Sequence, residues 1–193
     1  MANISPESLM TLEAYARERG AFRAKVIEHK RRRTVHLGEH VTLLFEDELT
    51  IRYQVQEMLR IERIFEPDGI RHELEAYNPL IPDGGNWKAT MLLEYPEAEE
   101  RKRRLAELKG IEREVWVQVE GCGRVRAIAD EDLERENEDK TSSVHFLRFE
   151  LDAAMRRALK SGAGVSMGVD HPHYRAELRL PGEARAALAA DLS

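Results

Sequence analysis

The chain has 193 residues, of which 42% are hydrophobic and 34% charged, and its formal net charge is −6 at pH 7. These values predict a globular protein with a heavily charged surface, and the acidic balance argues against binding to nucleic acid or to anionic membranes. The sequence has no apolar run of the roughly 20 residues that a membrane span needs, and its single cysteine, Cys122, fits a reducing cytoplasm.

The first part of the chain is predicted to be helical and then to form a hairpin. Helix-start signals predict N-terminal helices over about 5–32. Apolar residues then alternate from Thr34 to Phe45 around Gly38, a pattern typical of a short β-hairpin. In this hairpin His36 precedes the turn and His40 follows it.

The middle of the chain alternates between helical and strand-like patterns. Apolar residues at helical spacing predict a helix over about 47–65, and a shorter helix follows over 70–77. A strand is predicted over 88–95, a charged helix over 96–109, and a second hairpin over 115–129.

The last third begins with an acidic loop at about 130–140 and ends in a short tail helix. Between them we predict strands over 144–151, 164–169 and 174–180, with a helix after the first of them. Strands joined by hairpins and mixed with helices indicate an α+β fold. We expect one domain over 1–193, with a mixed core over 34–180 and helices packed on a largely antiparallel sheet of five to seven strands.

Four histidines are the candidate metal ligands: His36, His145, His171 and His173. His145 shares a predicted apolar strand face with Leu147, so it either bonds one polar partner in the core or binds a metal or substrate. His36 lies close to His40 if the turn at Gly38 forms. Two imidazoles with one carboxylate would suit iron, zinc or manganese and leave positions free for chemistry.

The segment Asp170-His171-Pro172-His173 follows a predicted strand. It concentrates potential ligands, yet the extended conformation that proline favours points the two imidazoles in different directions. We therefore keep two interpretations open, an exposed hairpin turn and part of a functional site.

Tyr53, Glu57 and Arg60 are the candidate catalytic residues. Their spacing places all three on one face of the predicted helix over 47–65. Glu57 and Arg60 could form a structural ion pair. Alternatively, Glu57 is a ligand or general base and Arg60 holds an anionic substrate.

Several blocks of the sequence resemble an uncharacterised bacterial family known as domain of unknown function 3501. The resemblance extends from about Ile4 to Tyr174 and is carried by RTVHLGEHVTLLFEDELTIRYQVQEMLRIERIFE, EAYNPLIPDGGNWKATMLLEY, VWVQVEG, DEDLERENEDKTSSVHFLRFEL and GVDHPHY. Genes of that family often lie beside those of rubrerythrin-like di-iron proteins and of iron–sulfur or flavin-linked oxidoreductases. The resemblance thus implies a role in peroxide defence, iron handling or an associated redox step.

Two hypotheses for function follow. In the first, a cytoplasmic protein uses one site of His and carboxylate side chains to bind a transition metal, with iron favoured, or a small anionic ligand in a redox or oxidative-stress pathway. In the second, the chain is a non-catalytic accessory subunit that docks onto a rubrerythrin-like or iron–sulfur oxidoreductase partner. A homodimer is compatible with either hypothesis.

Overall fold

A computed structural model describes residues 3–129 and 140–193. Residues 130–139, most of the predicted acidic loop, lie outside the described residues. Within the described ranges the helices are α1 (Leu12–Arg31), α2 (Glu48–Glu62), α3 (Pro67–Tyr77), α4 (Ala98–Glu107), α5 (Ala153–Lys160) and α6 (Gly182–Ala189). The strands are β1 (Thr34–Leu37), β2 (Val41–Phe45), β3 (Asn86–Leu93), β4 (Val115–Val119), β5 (Arg124–Arg126), β6 (Ile128–Ala129), β7 (Val144–Glu150), β8 (Val165–His171) and β9 (Tyr174–Arg179).

The predicted α+β class is confirmed, and the strands divide between two sheets instead of forming one. The first sheet has the order β1-β2-β3-β7-β6 and the second has the order β5-β4-β8-β9. Every pairing is antiparallel. The segment that contains β5 and β6 passes from the second sheet to the first at Ala127, whose amide donates to the carbonyl of Val115.

One buried apolar cluster takes side chains from both sheets. Phe45, Trp87 and Phe149 come from the first sheet, and Val117 and Met167 come from the second. In β3 from Trp87 onward and in β7 the core residues alternate with more exposed ones. Each sheet turns one face toward the shared core. We call the opposite face of the first sheet its outer face. Burial of this cluster is the main stabilising contribution that the structure shows.

The helices α1, α2 and α3 form a separate layer with a small core of their own. Ile51, Val55 and Leu59 of α2 pack with Leu74 of α3. A capping box begins α2, because Asp47 accepts a hydrogen bond from the amide of Thr50 while the Thr50 hydroxyl accepts one from the amide of Asp47. α1 lies beside α2, so side chains between these helices meet over long sequence distances.

Arg33, which ends the basic run Lys30-Arg31-Arg32-Arg33, is buried. Its side chain is 2% exposed, and it donates to the carbonyls of Phe45 and Glu46 and to both carboxylate oxygens of Asp191. The guanidinium therefore ties the C-terminal part of the chain to the junction between α1 and the first sheet. No helix within the described ranges is long and apolar enough to cross a membrane.

Candidate functional site

The predicted hairpin around Gly38 is present, and its turn is held from the second sheet. Gly38 has φ +73°, and a Cβ placed there would lie 2.5 Å from the hydroxyl oxygen of Tyr174. That hydroxyl donates to the carbonyl of Leu37 at 2.6 Å and accepts from the amide of His40 at 3.1 Å. Glycine is thus required at the turn both for its backbone conformation and for the close approach of Tyr174.

A hydrogen-bond chain orients His36 on the outer face of the first sheet. His36 pairs with Thr42 across β1 and β2, and its Nδ1 lies 3.0 Å from Thr42 Oγ1. Thr42 Oγ1 in turn lies 2.5 Å from Glu94 Oε2. Because an ionised carboxylate only accepts, the threonine hydroxyl donates its proton to Glu94 and accepts the Nδ1–H of His36. Neutral His36 therefore carries its lone pair on Nε2.

Glu94 also anchors the second imidazole of the hairpin. His40 Nδ1 lies 2.9 Å from the carbonyl oxygen of Glu94, so this nitrogen donates as well, and its neutral ring also leaves the lone pair on Nε2. The ring stacks on Tyr95 with centroids 4.1 Å apart. Backbone pairing continues here, since the Glu94 amide donates to the His40 carbonyl. Glu94, which directly follows β3, thus orients both imidazoles.

The two Nε2 atoms are the chemically available groups of this site. His36 is exposed and its Nε2 has no hydrogen-bond partner among the described residues. His40 Nε2 has one ionic neighbour, the carboxylate of Glu39 at 3.9 Å. Imidazoles whose second nitrogen donates to a carboxylate, hydroxyl or carbonyl are the arrangement seen in metal-binding histidines. We call His36, His40, Thr42 and Glu94 the hairpin site.

His145 is fully buried, as its position on the apolar strand face predicted. Its Nε2 lies 3.0 Å from the carbonyl oxygen of Ser142 and 3.0 Å from Thr141 Oγ1. A carbonyl only accepts, so the Nε2 of neutral His145 carries the proton. This nitrogen is engaged in the core beside Thr141, which is also buried.

His171 and His173 lie at the β8–β9 turn, with ring centroids 5.8 Å apart. Both ring nitrogens of His171 have backbone partners: Nε2 lies 3.1 Å from the carbonyl of Lys109, and Nδ1 accepts from the His173 amide at 3.2 Å. The His173 side chain is exposed. Of the four histidines predicted as ligands, His171 and His173 thus share one turn, whereas His36 and His145 each have separate surroundings. Over residues 3–129 and 140–193, no three His, Cys, Asp or Glu side chains are placed to hold a metal ion.

The predicted face of Tyr53, Glu57 and Arg60 is the face of α2 that meets α1. Tyr53 packs against Phe22 of α1, with ring centroids 6.0 Å apart. Arg60 Nη2 lies 3.4 Å from Glu57 Oε2, so the predicted pair of these two residues is present and long. The main partner of Glu57 comes from α1.

Arg19 of α1 holds Glu57 through two hydrogen bonds. Arg19 Nε and Nη2 lie 2.7 and 2.9 Å from the two carboxylate oxygens, and the Tyr15 hydroxyl donates to Oε1 at 2.7 Å. The Arg19 guanidinium is the largest cause that lowers the pKa of Glu57 to about 2. Burial and the same carboxylate raise the pKa of Tyr15. Near neutral pH Glu57 is therefore an ionised acceptor that joins two helices.

Sequence reasoning missed three residues that orient the side chains of the hairpin site and of Glu57: Thr42, Glu94 and Arg19. Thr42 and Glu94 are in contact although they lie 52 residues apart in the sequence, and Arg19 and Glu57 lie 38 residues apart. The strand alternation that places Thr42 opposite His36 was a usable signal for one of them. The pairing of β2 with β3, which brings in Glu94, has no local signal.

Comparisons with known proteins agree with the predicted resemblance. A family model described as "Protein of unknown function (DUF3501)" matches residues 3–192. The crystal structure of a novel protein of unknown function from Burkholderia pseudomallei K96243 is similar over 100% of both chains, with 54% sequence identity and a TM-score of 0.95. No functionally curated protein matches the chain.

Proposed function

The chain belongs to the DUF3501 family, and we propose that this member binds a divalent transition-metal ion at the hairpin site through Nε2 of His36 and of His40. Positions on the ion that the protein leaves open would accept a small anionic ligand. The observation that carries the proposal is the double anchoring on Glu94, which fixes both rings with their Nδ1 atoms as donors.

The proposal requires that both rings reach one ion. His36 lies opposite Thr42 in the pairing of β1 with β2. Glu94 contacts both Thr42 Oγ1 and His40 Nδ1, so both rings are anchored beside one residue. Two imidazoles alone bind an ion more weakly than a complete set of protein ligands, so we expect exchangeable binding.

The resemblance favours iron as the bound ion, in a redox or oxidative-stress pathway. Imidazole ligands suit iron, zinc and copper alike, so the hairpin site by itself selects none of them. We also propose a cytoplasmic location, where iron is available in its reduced form and where the single thiol of Cys122 stays reduced.

The test is a titration of metal-free protein with Co²⁺, followed by absorption spectroscopy and calorimetry. We expect one equivalent to bind, and we expect His36→Ala and His40→Ala each to lower the affinity at least about tenfold through loss of a first ligand. Glu94→Gln should weaken binding about 10–100-fold, because it removes the charged acceptor behind His36. The control is His72→Ala, which removes an exposed imidazole of α3. The proposal would be refuted if the wild-type chain did not bind Co²⁺. It would also be refuted if the His36→Ala and His40→Ala variants bound Co²⁺ as tightly as the wild type.

A second candidate function is that of an accessory subunit for a rubrerythrin-like or iron–sulfur oxidoreductase. The observation that favours it is the exposure of two large apolar side chains at the end of α2, Ile61 at 58% and Phe65 at 67%. Between them Arg63 adopts a left-handed conformation with φ 54°, which is uncommon for a residue other than glycine and turns the chain sharply there. Apolar and aromatic side chains of this kind are enriched in protein interfaces.

Binding between the purified proteins tests this second candidate. A di-iron rubrerythrin-like protein from the same cells should bind the wild-type chain, and Ile61→Ser/Phe65→Ser should lose at least about tenfold in affinity. Ile27→Ser is the matched control, since Ile27 is also exposed but lies on α1. Equal affinity of the double variant would exclude this surface as the contact.

A further inference from the structure

Residues 3–10 precede α1 and lie across α2 and α3, and we call them the N-terminal strap. Ile4 is the one buried side chain of the strap, and it packs into the small core of the helical layer, where Leu9 packs in part. Residues 5–8 are exposed. A segment with so few buried apolar contacts opens more easily than the helices beneath it.

Two carboxamide side chains hold the strap by its main chain. Asn78, directly after α3, accepts a hydrogen bond from the amide of Ile4 at 2.9 Å and donates one to the carbonyl of the same residue at 3.0 Å. Gln56 of α2 accepts from the amide of Met10 at 2.8 Å and donates to its carbonyl at 3.3 Å. A carboxamide has both a donor and an acceptor, so it can satisfy both main-chain groups of one residue. Both contacts recognise a peptide main chain and not a particular side chain.

The face of α2 under the strap carries polar groups that depend on it. Gln56 is 1% exposed, and within the described ranges its side chain hydrogen-bonds only to Met10. Arg52, one turn earlier, donates to the carbonyl and the hydroxyl of Ser8 at 2.7 and 3.1 Å. A buried amide without a partner costs free energy. These groups are therefore placed to bind the main chain of a polypeptide that lies along α2.

An open cavity of about 650 Å³ continues this groove beside the strap. Residues 3–6 of the strap form one wall, and Leu74, Asn78 and Ile81 belong to the opposite wall. The volume is within the range of ligand-binding pockets. Since the strap leaves this space unfilled, a second polypeptide segment has room to enter beside Ile4.

We propose that the helices α2 and α3 form a peptide-binding groove, that the N-terminal strap is its built-in occupant, and that an extended segment of another polypeptide with an aliphatic side chain in the place of Ile4 displaces the strap. The strap is then a tethered competitor, which lowers the apparent affinity for the partner in proportion to the fraction of molecules with an open groove. The groove shares no residue with the hairpin site, so its occupation does not depend on a metal ion.

A fluorescently labelled peptide with the sequence of residues 3–11, NISPESLMT, is the probe, titrated with the whole chain. Ile4→Ser in the chain loosens the strap and leaves the groove unchanged, so this variant should bind the peptide at least about tenfold more tightly than the wild type. Gln56→Ala, added to Ile4→Ser, should then bind at least about fivefold more weakly than Ile4→Ser alone, because one contact to the main chain is lost. Gln54→Ala in the same background is the matched control, since Gln54 is an exposed glutamine of the same helix.

The opposite signs of these two changes distinguish a groove with a built-in occupant from a general loosening of the fold. The proposal is wrong if Ile4→Ser binds the peptide no more tightly than the wild type, or if Gln56→Ala has no more effect than Gln54→Ala. Equal binding of a peptide that carries the Ile4→Ser change would also overturn it, because the aliphatic side chain would then play no part.

A second measurement needs no variant of the chain. In isotope-labelled wild-type protein, excess unlabelled peptide should shift the NMR signals of the Ile4 and Met10 amides toward those of an unfolded segment, because the strap leaves its two carboxamide partners. Unchanged amide signals at millimolar peptide would show that the strap is not displaced, and the proposal would be wrong.

Discussion

Replacement of Glu57 by glutamine tests whether this carboxylate stabilises the contact between α1 and α2 as an ion. Its pKa is lowered from an ordinary 4.5 to about 2, chiefly by Arg19. Since one pKa unit corresponds to about 1.4 kcal/mol, the upper limit of this stabilisation is about 3.4 kcal/mol. Arg19 is 32% exposed, so solvent screens the pair, and we expect Glu57→Gln to cost about 1–2 kcal/mol at pH 7.

The sign of the pH dependence follows from the direction of the shift. A carboxyl group with a lowered pKa in the folded state stabilises the fold above its unfolded pKa, and the stabilisation is lost as the pH falls through the folded value. The difference in unfolding free energy between the wild type and Glu57→Gln should therefore be full above about pH 5 and should vanish toward pH 2.

Urea unfolding followed by circular dichroism at several pH values between about 7 and 2.5 measures this difference. Glu62→Gln is the control, since Glu62 is an exposed glutamate at the end of the same helix; we expect its effect to be within about 0.5 kcal/mol. A difference for Glu57→Gln that stays constant over this pH range would refute the ionic explanation, because uncharged packing does not titrate.

Three further changes test contacts elsewhere in the fold, each measured by urea unfolding. Arg33→Ala should cost about 3–5 kcal/mol, because it leaves the carboxylate of Asp191 without the guanidinium that holds it, at a position where burial already raises its pKa; a loss below about 1 kcal/mol would contradict this. Tyr174→Phe should cost about 1–2 kcal/mol through the two hydrogen bonds of its hydroxyl, and no loss would show that the turn is held by other contacts. Gly168→Ala should cost about 1–3 kcal/mol, since its Cβ would lie 2.5 Å from the Trp116 ring. An unchanged free energy of unfolding would show that the ring moves away without destabilising the fold.

Most secondary structure was predictable because its signals are local. The hairpin around Gly38, the helix that begins after Asp47 and the strand that carries His145 all lie where periodicity and turn residues place them. The burial of His145 was predictable for the same reason, since strand alternation assigns it to the apolar face. In these segments, residues close in sequence determine both the pattern and the local structure.

The division into two sheets was not predictable, because it depends on pairings between distant segments. β3 pairs with β7, and β4 pairs with β8, each across more than one intervening element. The segment around Ala127 resembles a single strand in sequence, yet its two halves pair with different sheets. Alternation indicates that a residue is buried but not which strand faces it.

The arrangement of hydrogen bonds distinguishes the candidate residues better than their residue types do. Glu57 and His171 have donors or acceptors on every polar atom that chemistry would need, and those bonds join separate elements of the fold. Their roles follow from these bonds: Glu57 holds two helices together and His171 holds a turn to a neighbouring carbonyl. Chemistry at either residue would have to break contacts that stabilise the fold.

His36 and His40 show the opposite arrangement. One nitrogen of each ring fixes its orientation, and the other makes no hydrogen bond to a described residue. Both lie at a hairpin end, where the backbone is held by Tyr174 and where solvent reaches the site. A binding residue needs a rigid support and an unused lone pair. A core residue rarely keeps such a lone pair, because a nitrogen without a hydrogen bond costs much free energy in the interior and little in water.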